Sequence, residues 1–121
     1  MTTPTADALI RFEGIGSGSD EIWGGIQANF LVALPGQNAR ETAVMLNDPG
    51  AAHLAEALGR ENTPEFQALA AEIAGRLWIE RLVARGQHVG GLITISRMLF
   101  QANPDYQERV LTAIKDALGA A

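Results

Sequence analysis

GGIQANFLVALPG, residues 24 to 36, carries the clearest strand pattern in the chain. Apolar residues alternate with other residues along it, as they do in a strand that has one buried face. The opposite face would carry Gln27 and Asn29, and a Pro-Gly pair ends the element. The pattern predicts a strand over residues 24–34, with an inner face made of Ile26, Ala28, Phe30, Val32 and Leu34.

A helix is the rival interpretation of the same stretch. Ile22, Ile26 and Phe30 are spaced by four residues and would share one helical face. Gly24 and Gly25 would then lie in the first turns of that helix, where two glycines cost about 2 kcal/mol relative to alanine. The strand is therefore favoured.

Strand patterns also flank this stretch. Residues 8–14 alternate, with Ile10 and Phe12 on one face, and residues 40–46 form a shorter alternating run. We therefore expect a small antiparallel sheet of two or three strands in the N-terminal third of the chain. The shorter run would direct three side chains to one side of that sheet, namely Thr42, Val44 and Leu46.

After residue 47 the spacing of the apolar residues becomes helical. Three good capping residues each stand directly before a proline. This arrangement starts helices, because the cap accepts a free backbone N–H and proline has no N–H to leave unpaired. Glycine is suited to end a helix in a left-handed conformation. The expected starts are Asp48-Pro49, Thr63-Pro64 and Asn103-Pro104, and the expected ends are Gly59, Gly86 and Gly119.

The clearest helical pattern covers residues 64–85. Its apolar stripe broadens around Trp78, which indicates burial on more than one side. Arg76 is one turn away from both Glu72 and Glu80, so these residues are expected to pair on the solvent side. The stripe consists of Phe66, Leu69, Ile73 and Leu77, and a second helix over 104–118 would bury Tyr106, Val110, Leu111, Ile114 and Leu118.

Residues 88–102 are compatible with two structures. LITIS, residues 92–96, is typical of a strand when taken alone, whereas Leu92, Ile95 and Leu99 have helical spacing. We favour a helix, because the C-terminal end of the segment runs directly into the next cap. The expected fold is therefore α+β, with about four helices packed on one face of the sheet.

A glycine-rich stretch, GIGSGSDEIWGG at residues 14–25, is the segment most like a phosphate-binding loop. It lacks both the glycine spacing of a dinucleotide fingerprint and the lysine of a Walker loop, and its acids would repel a phosphate. We expect a flexible hairpin connection, with a mobile lid or a partner-contacting loop over residues 14–23 as the alternative. The contact candidates are Gly16, Ser17, Gly18, Ser19 and Trp23.

Few other residues indicate a site. Arg81 and Arg85 have the fewest acidic residues one turn away, and they are further contact candidates. His53 and Glu56 share a helical face and could ligate a metal, but the sequence supplies no third ligand. His88 is expected at a helix end, where it would interact with the helix dipole. We therefore expect no metal site, no cofactor and no catalytic residue.

The composition sets further limits. The chain has 121 residues, enough for a single domain over residues 1–121, and no cysteine, which excludes disulfides and thiol nucleophiles. Fourteen acids oppose nine bases, a net charge of −5, and Lys115 is the only lysine. Nucleic acids and anionic membranes are therefore disfavoured as partners. Because there is no signal-like N-terminus and no apolar run of about 20 residues, a soluble cytoplasmic protein is expected.

Three functions remain as hypotheses. The first is a small non-catalytic interaction protein that forms a homodimer or a larger oligomer. The 24–34 strand has no charge between Glu21 and Arg40 and would be a poor edge to leave in water. The second is a small-molecule-binding domain with residues 14–23 as its lid and Trp23 as a stacking platform. The third is an enzyme whose acid or base would be Asp20, Glu21 or His53.

Overall fold

Within residues 9–19 and 24–119, which the computed structural model of the protein describes, the chain forms four strands and four helices. The strands are β1 (Leu9–Ser19), β2 (Gly24–Ala33), β3 (Arg40–Asn47) and β4 (Gly91–Ile95). The helices are α1 (Asp48–Leu58), α2 (Pro64–Ala84), α3 (Arg97–Ala102) and α4 (Pro104–Gly119).

The strands form one sheet in the spatial order β1-β2-β3-β4. The first three pair antiparallel as consecutive neighbours, and β4 pairs parallel with β3. The predicted α+β class is confirmed, but over the described ranges the sheet has four strands rather than two or three, and it is mixed rather than antiparallel. The reason is the connection through α1 and α2, because a helical crossover is what allows the next strand to pair in parallel.

The strand predicted from GGIQANFLVALPG is present as β2. Ala28, Phe30 and Val32 are buried on one face, as the alternation predicts. Gln27 and Asn29 lie on the opposite face. β1 pairs with one side of β2 and β3 with the other, so this uncharged strand is interior to the sheet and is not an edge.

The helix predicted across residues 88–102 is wrong for much of that segment. Residues 91–95 form β4 against β3, and the helix begins only at Arg97. β4 contains three β-branched residues in succession, the class that packs best on a pleated surface. Ser96 then starts α3, because its hydroxyl accepts a backbone N–H of the first turn at 3.2 Å.

The helices start at the predicted capping pairs, with one shift. Thr63 caps α2 by accepting a first-turn backbone N–H at 3.1 Å, and α4 begins at Pro104. α1 is capped one residue earlier than predicted, because the side-chain oxygen of Asn47, rather than that of Asp48, accepts the Gly50 N–H at 2.9 Å. Both residue types cap helices well, and Asn47 is the buried one of the two.

The predicted ends hold for two of these helices. Gly59 has a left-handed φ of 62° and follows α1 directly. Gly86 has a φ of 65° and follows Arg85, the C-cap of α2. Gly119 is the last residue of α4 and not a residue beyond it. Glycine therefore ends α1 and α2 through the conformation that other residues rarely adopt.

Small residues allow α2 to lie close to the sheet. Leu69, Ile73 and Leu77 of the predicted stripe are only half-buried. The closest approach is at Gly75, where a Cβ would lie 2.9 Å from Cε1 of Phe30. The buried face of α2 comprises Phe66, Ala70, Ala71, Ala74, Gly75 and Ile79.

Aromatic rings join α3 and α4 to α2. The Tyr106 hydroxyl donates a hydrogen bond to the carbonyl oxygen of Ala74. The Tyr106 ring meets Trp78 edge-on, with 4.9 Å between centroids, and stacks on Phe100 at 5.6 Å. Burial raises the pKa of the Tyr106 phenol above its usual value, so the hydroxyl keeps its proton and remains a donor.

We predict that Gly75→Ala destabilises the protein, although alanine is the better helix former. The added methyl group would meet Phe30 Cε1 at 2.9 Å and Val44 Cβ at 3.1 Å. Such overpacking costs about 1–3 kcal/mol, against about 1 kcal/mol gained in helix propensity. Chemical denaturation should therefore show a net loss of up to about 2 kcal/mol in the free energy of unfolding.

Gly119→Ala is the control for this substitution, because its methyl group would meet nothing within 4 Å. A G75A protein that is as stable as the G119A protein would contradict the close packing of α2 on the sheet.

Candidate functional site

The described part of the glycine-rich stretch is a strand and not a loop. Residues 14–19 continue β1, and their pairing with β2 extends as far as Ser19, which lies opposite Gly24. The prediction of a hairpin connection or lid is therefore wrong for residues 14–19, and residues 20–23, which include Asp20, Glu21 and Trp23, lie outside the described residues. The contact candidates that lie in β1 are Gly16, Ser17, Gly18 and Ser19.

Arg81 is paired, contrary to the sequence prediction. Its Nη1 donates to Asp105 Oδ2 at 2.9 Å, and its Nη2 donates to Asn103 Oδ1 at 3.4 Å. The guanidinium also lies over the Trp78 ring, 5.7 Å from the centroid. Arg85, the other predicted contact cation, is the exposed C-cap of α2. Arg81 therefore links α2 to the start of α4.

Arg76 also departs from its predicted role. Its Nη1 donates to the carbonyl oxygen of Ile10 in β1 at 2.9 Å, and its guanidinium lies 5.7 Å from the centroid of the Phe30 ring. The expected ion pairs with Glu72 and Glu80 do not form among the described residues. Arg76 therefore connects α2 to the first strand, and it is not part of a solvated row of charges.

His53 belongs to the packing of the helices. Its Nε2 lies 2.8 Å from Gln107 Oε1, and its ring stacks on Phe100 with 6.0 Å between centroids. Because an amide oxygen only accepts, Nε2 carries the hydrogen in this contact. Over the described ranges, no group of three or more His, Cys, Asp or Glu side chains could hold a metal ion, so the pair formed by His53 and Glu56 has no third ligand there.

The face of the sheet that points away from α1 and α2 is called the outer face below. The strand register arranges its side chains in rows across the sheet. Near the middle, Gln27 Nε2 donates to Asn29 Oδ1 at 2.8 Å, and Met45 is buried. At the two margins, Leu9 and Leu92 are 73% and 59% exposed. Other members of the outer face are Arg11, Leu31, Glu41, Ala43 and Thr94.

β1 forms one edge of the sheet, and several of its features hinder pairing with a further strand. Arg11 and Glu13 form an exposed ion pair at 3.2 Å. A bulge leaves Glu13 without a partner in β2. The Arg76 side chain already donates a hydrogen bond to the carbonyl oxygen of Ile10. Charged side chains and bulges are the usual means by which proteins protect a sheet edge.

β4 forms the opposite edge and has none of these features. Its sequence, GLITI, contains neither charge nor proline, and it pairs with β3 in unbroken register over all five residues. The Leu92 and Thr94 side chains are exposed. Beyond β3, no strand of the described residues pairs with β4. Within the described residues, this edge therefore has no strand partner for its outward backbone groups, and the side chains beside it are uncharged.

Comparisons with known proteins add no functional information. No family model, no curated protein and no solved structure matches the chain. In the part of the chain that the structure describes, no helix is long and apolar enough to cross a membrane. The function must therefore be inferred from the geometry of this molecule.

The Arg81–Asp105 contact should make stability depend on pH. The hydrogen bond from Arg81 holds the pKa of the Asp105 carboxyl below its usual value, which is about 3.9. The carboxylate therefore stabilises the fold above pH about 3.9, and this contribution is lost as the pH falls through the lower folded-state pKa. We predict that Asp105→Asn lowers the midpoint of thermal unfolding at neutral pH, and that its difference from the wild type shrinks in acid.

Asp116→Asn removes an exposed charge from the same helix and controls for the change in net charge. If both substitutions had the same effect at every pH, the Arg81–Asp105 pair would contribute nothing specific.

Proposed function

We propose that the protein is a small non-catalytic assembly protein that forms a homodimer through the free edge of β4. Self-association was expected from the sequence because of the uncharged 24–34 strand, but that strand is interior and needs no partner. The same physical argument now applies to β4, because it is the uncharged strand that lies at an edge.

The difference between the two edges is the observation that supports this proposal. β1 carries an ion pair, a bulge and an arginine bound to its backbone. β4 is unbroken and uncharged, and exposes Leu92 beside the edge. A strand that joined the sheet at β1 would have to displace or accommodate charges, whereas the side chains of β4 itself are all neutral.

A second copy of β4 complements the first. Antiparallel pairing about a two-fold axis at Ile93 would place Leu92 of each copy opposite Thr94 of the other. Because the strand carries no charge, the symmetry brings no like charges together. The two sheets would then form one continuous sheet of about eight strands.

Residues beside β4 would have to contribute as well. Pairing of two short strands buries less than the roughly 1,200 Å² of a stable interface. Met98, three residues beyond the end of β4, is 77% exposed on α3. An exposed methionine adapts readily to a new surface, and its burial would extend the apolar part of the contact.

Leu92→Lys should dissociate this dimer. Lysine at an edge is one of the substitutions that prevents strand pairing, because its charge would have to be buried against the second copy. Leu92 is exposed in the single chain, so the fold should be unaffected. Sedimentation equilibrium at micromolar concentrations and above should show a dimer for the wild type and a monomer for L92K.

Leu9→Lys is the matched control, because Leu9 is also an exposed leucine of the outer face, at the opposite edge. The L9K protein should remain a dimer. A monomeric wild type throughout this range, or dissociation by L9K and not by L92K, would contradict the proposal.

A further inference from the structure

A positive charge with no acidic partner among the described residues lies at the end of the sheet where β3 and β4 begin. Arg40 Nη1 donates to His88 Nδ1 at 2.9 Å and to the carbonyl oxygen of Val89 at 3.3 Å. Arg40 Nη2 donates to Gln37 Oε1 at 3.4 Å. All three acceptors are neutral, and no carboxylate of the described residues forms an ion pair with Arg40.

These contacts hold the guanidinium in place without using all of its donors. A guanidinium has five N–H groups. The two on Nη1 bind His88 and Val89, and one on Nη2 makes the longest of the three hydrogen bonds. Nε–H and a second N–H of Nη2 have no acceptor among the described residues. Two N–H groups on one edge of a guanidinium match two oxygens of one carboxylate or phosphate.

His88 supplies a further donor beside Arg40. Because a guanidinium only donates, Nδ1 of His88 must accept, and the hydrogen of the neutral ring is on Nε2. A Cβ at Gly90 would lie 3.6 Å from His88 Nε2 and 3.6 Å from Arg40 Cδ. The glycine, whose φ is 127°, therefore leaves open the space that adjoins both side chains.

A cavity of about 360 Å³ lies beside this cluster. No acidic residue of the described ranges lines it, and Leu34 and Val83 give it an apolar wall. The C-terminal end of α2 adjoins it, and the negative end of a helix dipole opposes an anion. This opposition is reduced because the carbonyl groups of residues 81–83 already accept backbone N–H groups of residues 85–87.

We propose that this cavity binds a small oxyanion, a carboxylate or a phosphate. Two oxygens of the ligand accept hydrogen bonds from Nε–H of Arg40 and from the N–H of its Nη2 that does not bind Gln37. The rest of the ligand lies against Leu34 and Val83. The site is built from one chain and does not depend on self-association.

Titration of the isotope-labelled protein with butyrate, and separately with inorganic phosphate, tests the proposal by NMR. The backbone amide signals of Gly90 and Gly91 should shift and saturate with at least one of the two anions. The anion that binds more tightly identifies the ligand class. Arg40→Gln should weaken binding at least about tenfold, as expected for the loss of charge-assisted hydrogen bonds.

Two further variants test whether the anion is bound by the paired N–H donors of Arg40 or only by its positive charge. Arg40→Lys keeps the charge but loses the paired donors, so it should also bind more weakly than the wild type, and it serves if R40Q does not fold. Arg97→Gln removes an exposed arginine elsewhere and should bind as the wild type does. The proposal would be overturned if the shifts saturated with neither anion. It would also be overturned if the wild type and R40K bound the anion with equal affinity.

Discussion

The close contact of α2 with β2 and β3 determines how the other elements are arranged around the sheet. Gly75 lies so near Phe30 and Val44 that a methyl group in its place would overlap them. Because short side chains make this contact, the longer ones of α2 reach other elements. Arg76 binds the backbone of β1, and Arg81 binds the start of α4. α2 thus packs on the sheet and also connects to its first strand, β1, and to the start of α4.

This arrangement covers one face of the sheet and determines which strands are edges. The sequence predicted that an uncharged strand would need a partner, and β2 has its partners within the chain. Local pattern cannot tell an interior strand from an edge strand, because both read as alternating apolar residues. Only the crossover through α1 and α2 places the uncharged β4 at the margin. The Arg40–His88 contact could not be predicted from local pattern either, because it joins residues 48 positions apart.

Patterns within a single element could be predicted, and those that depended on distant partners could not. Local alternation predicted the three N-terminal strands, and helical spacing predicted α2 and α4. Most capping residues could be predicted because their hydrogen bonds are local. Residues 92–96 fit both the strand and the helix periodicity. Pairing with the edge of β3 makes residues 91–95 a strand. Arg76 has acids at helical spacing, but it binds a carbonyl oxygen 66 residues away. Residues 14–19 resembled a loop because glycine is depleted in strands, yet β2 provides a complete partner for them.

Hydrogen exchange of the backbone amides, measured over a range of protein concentrations, tests most directly whether β4 is the surface that this packing leaves for a second copy. Amides that take part in new strand pairing exchange more slowly in proportion to the dimer present. Exchange within residues 91–95 should therefore slow as the concentration rises, while exchange in β1 stays constant. Exchange in β4 that is independent of concentration, or slowing confined to β1, would contradict pairing through β4.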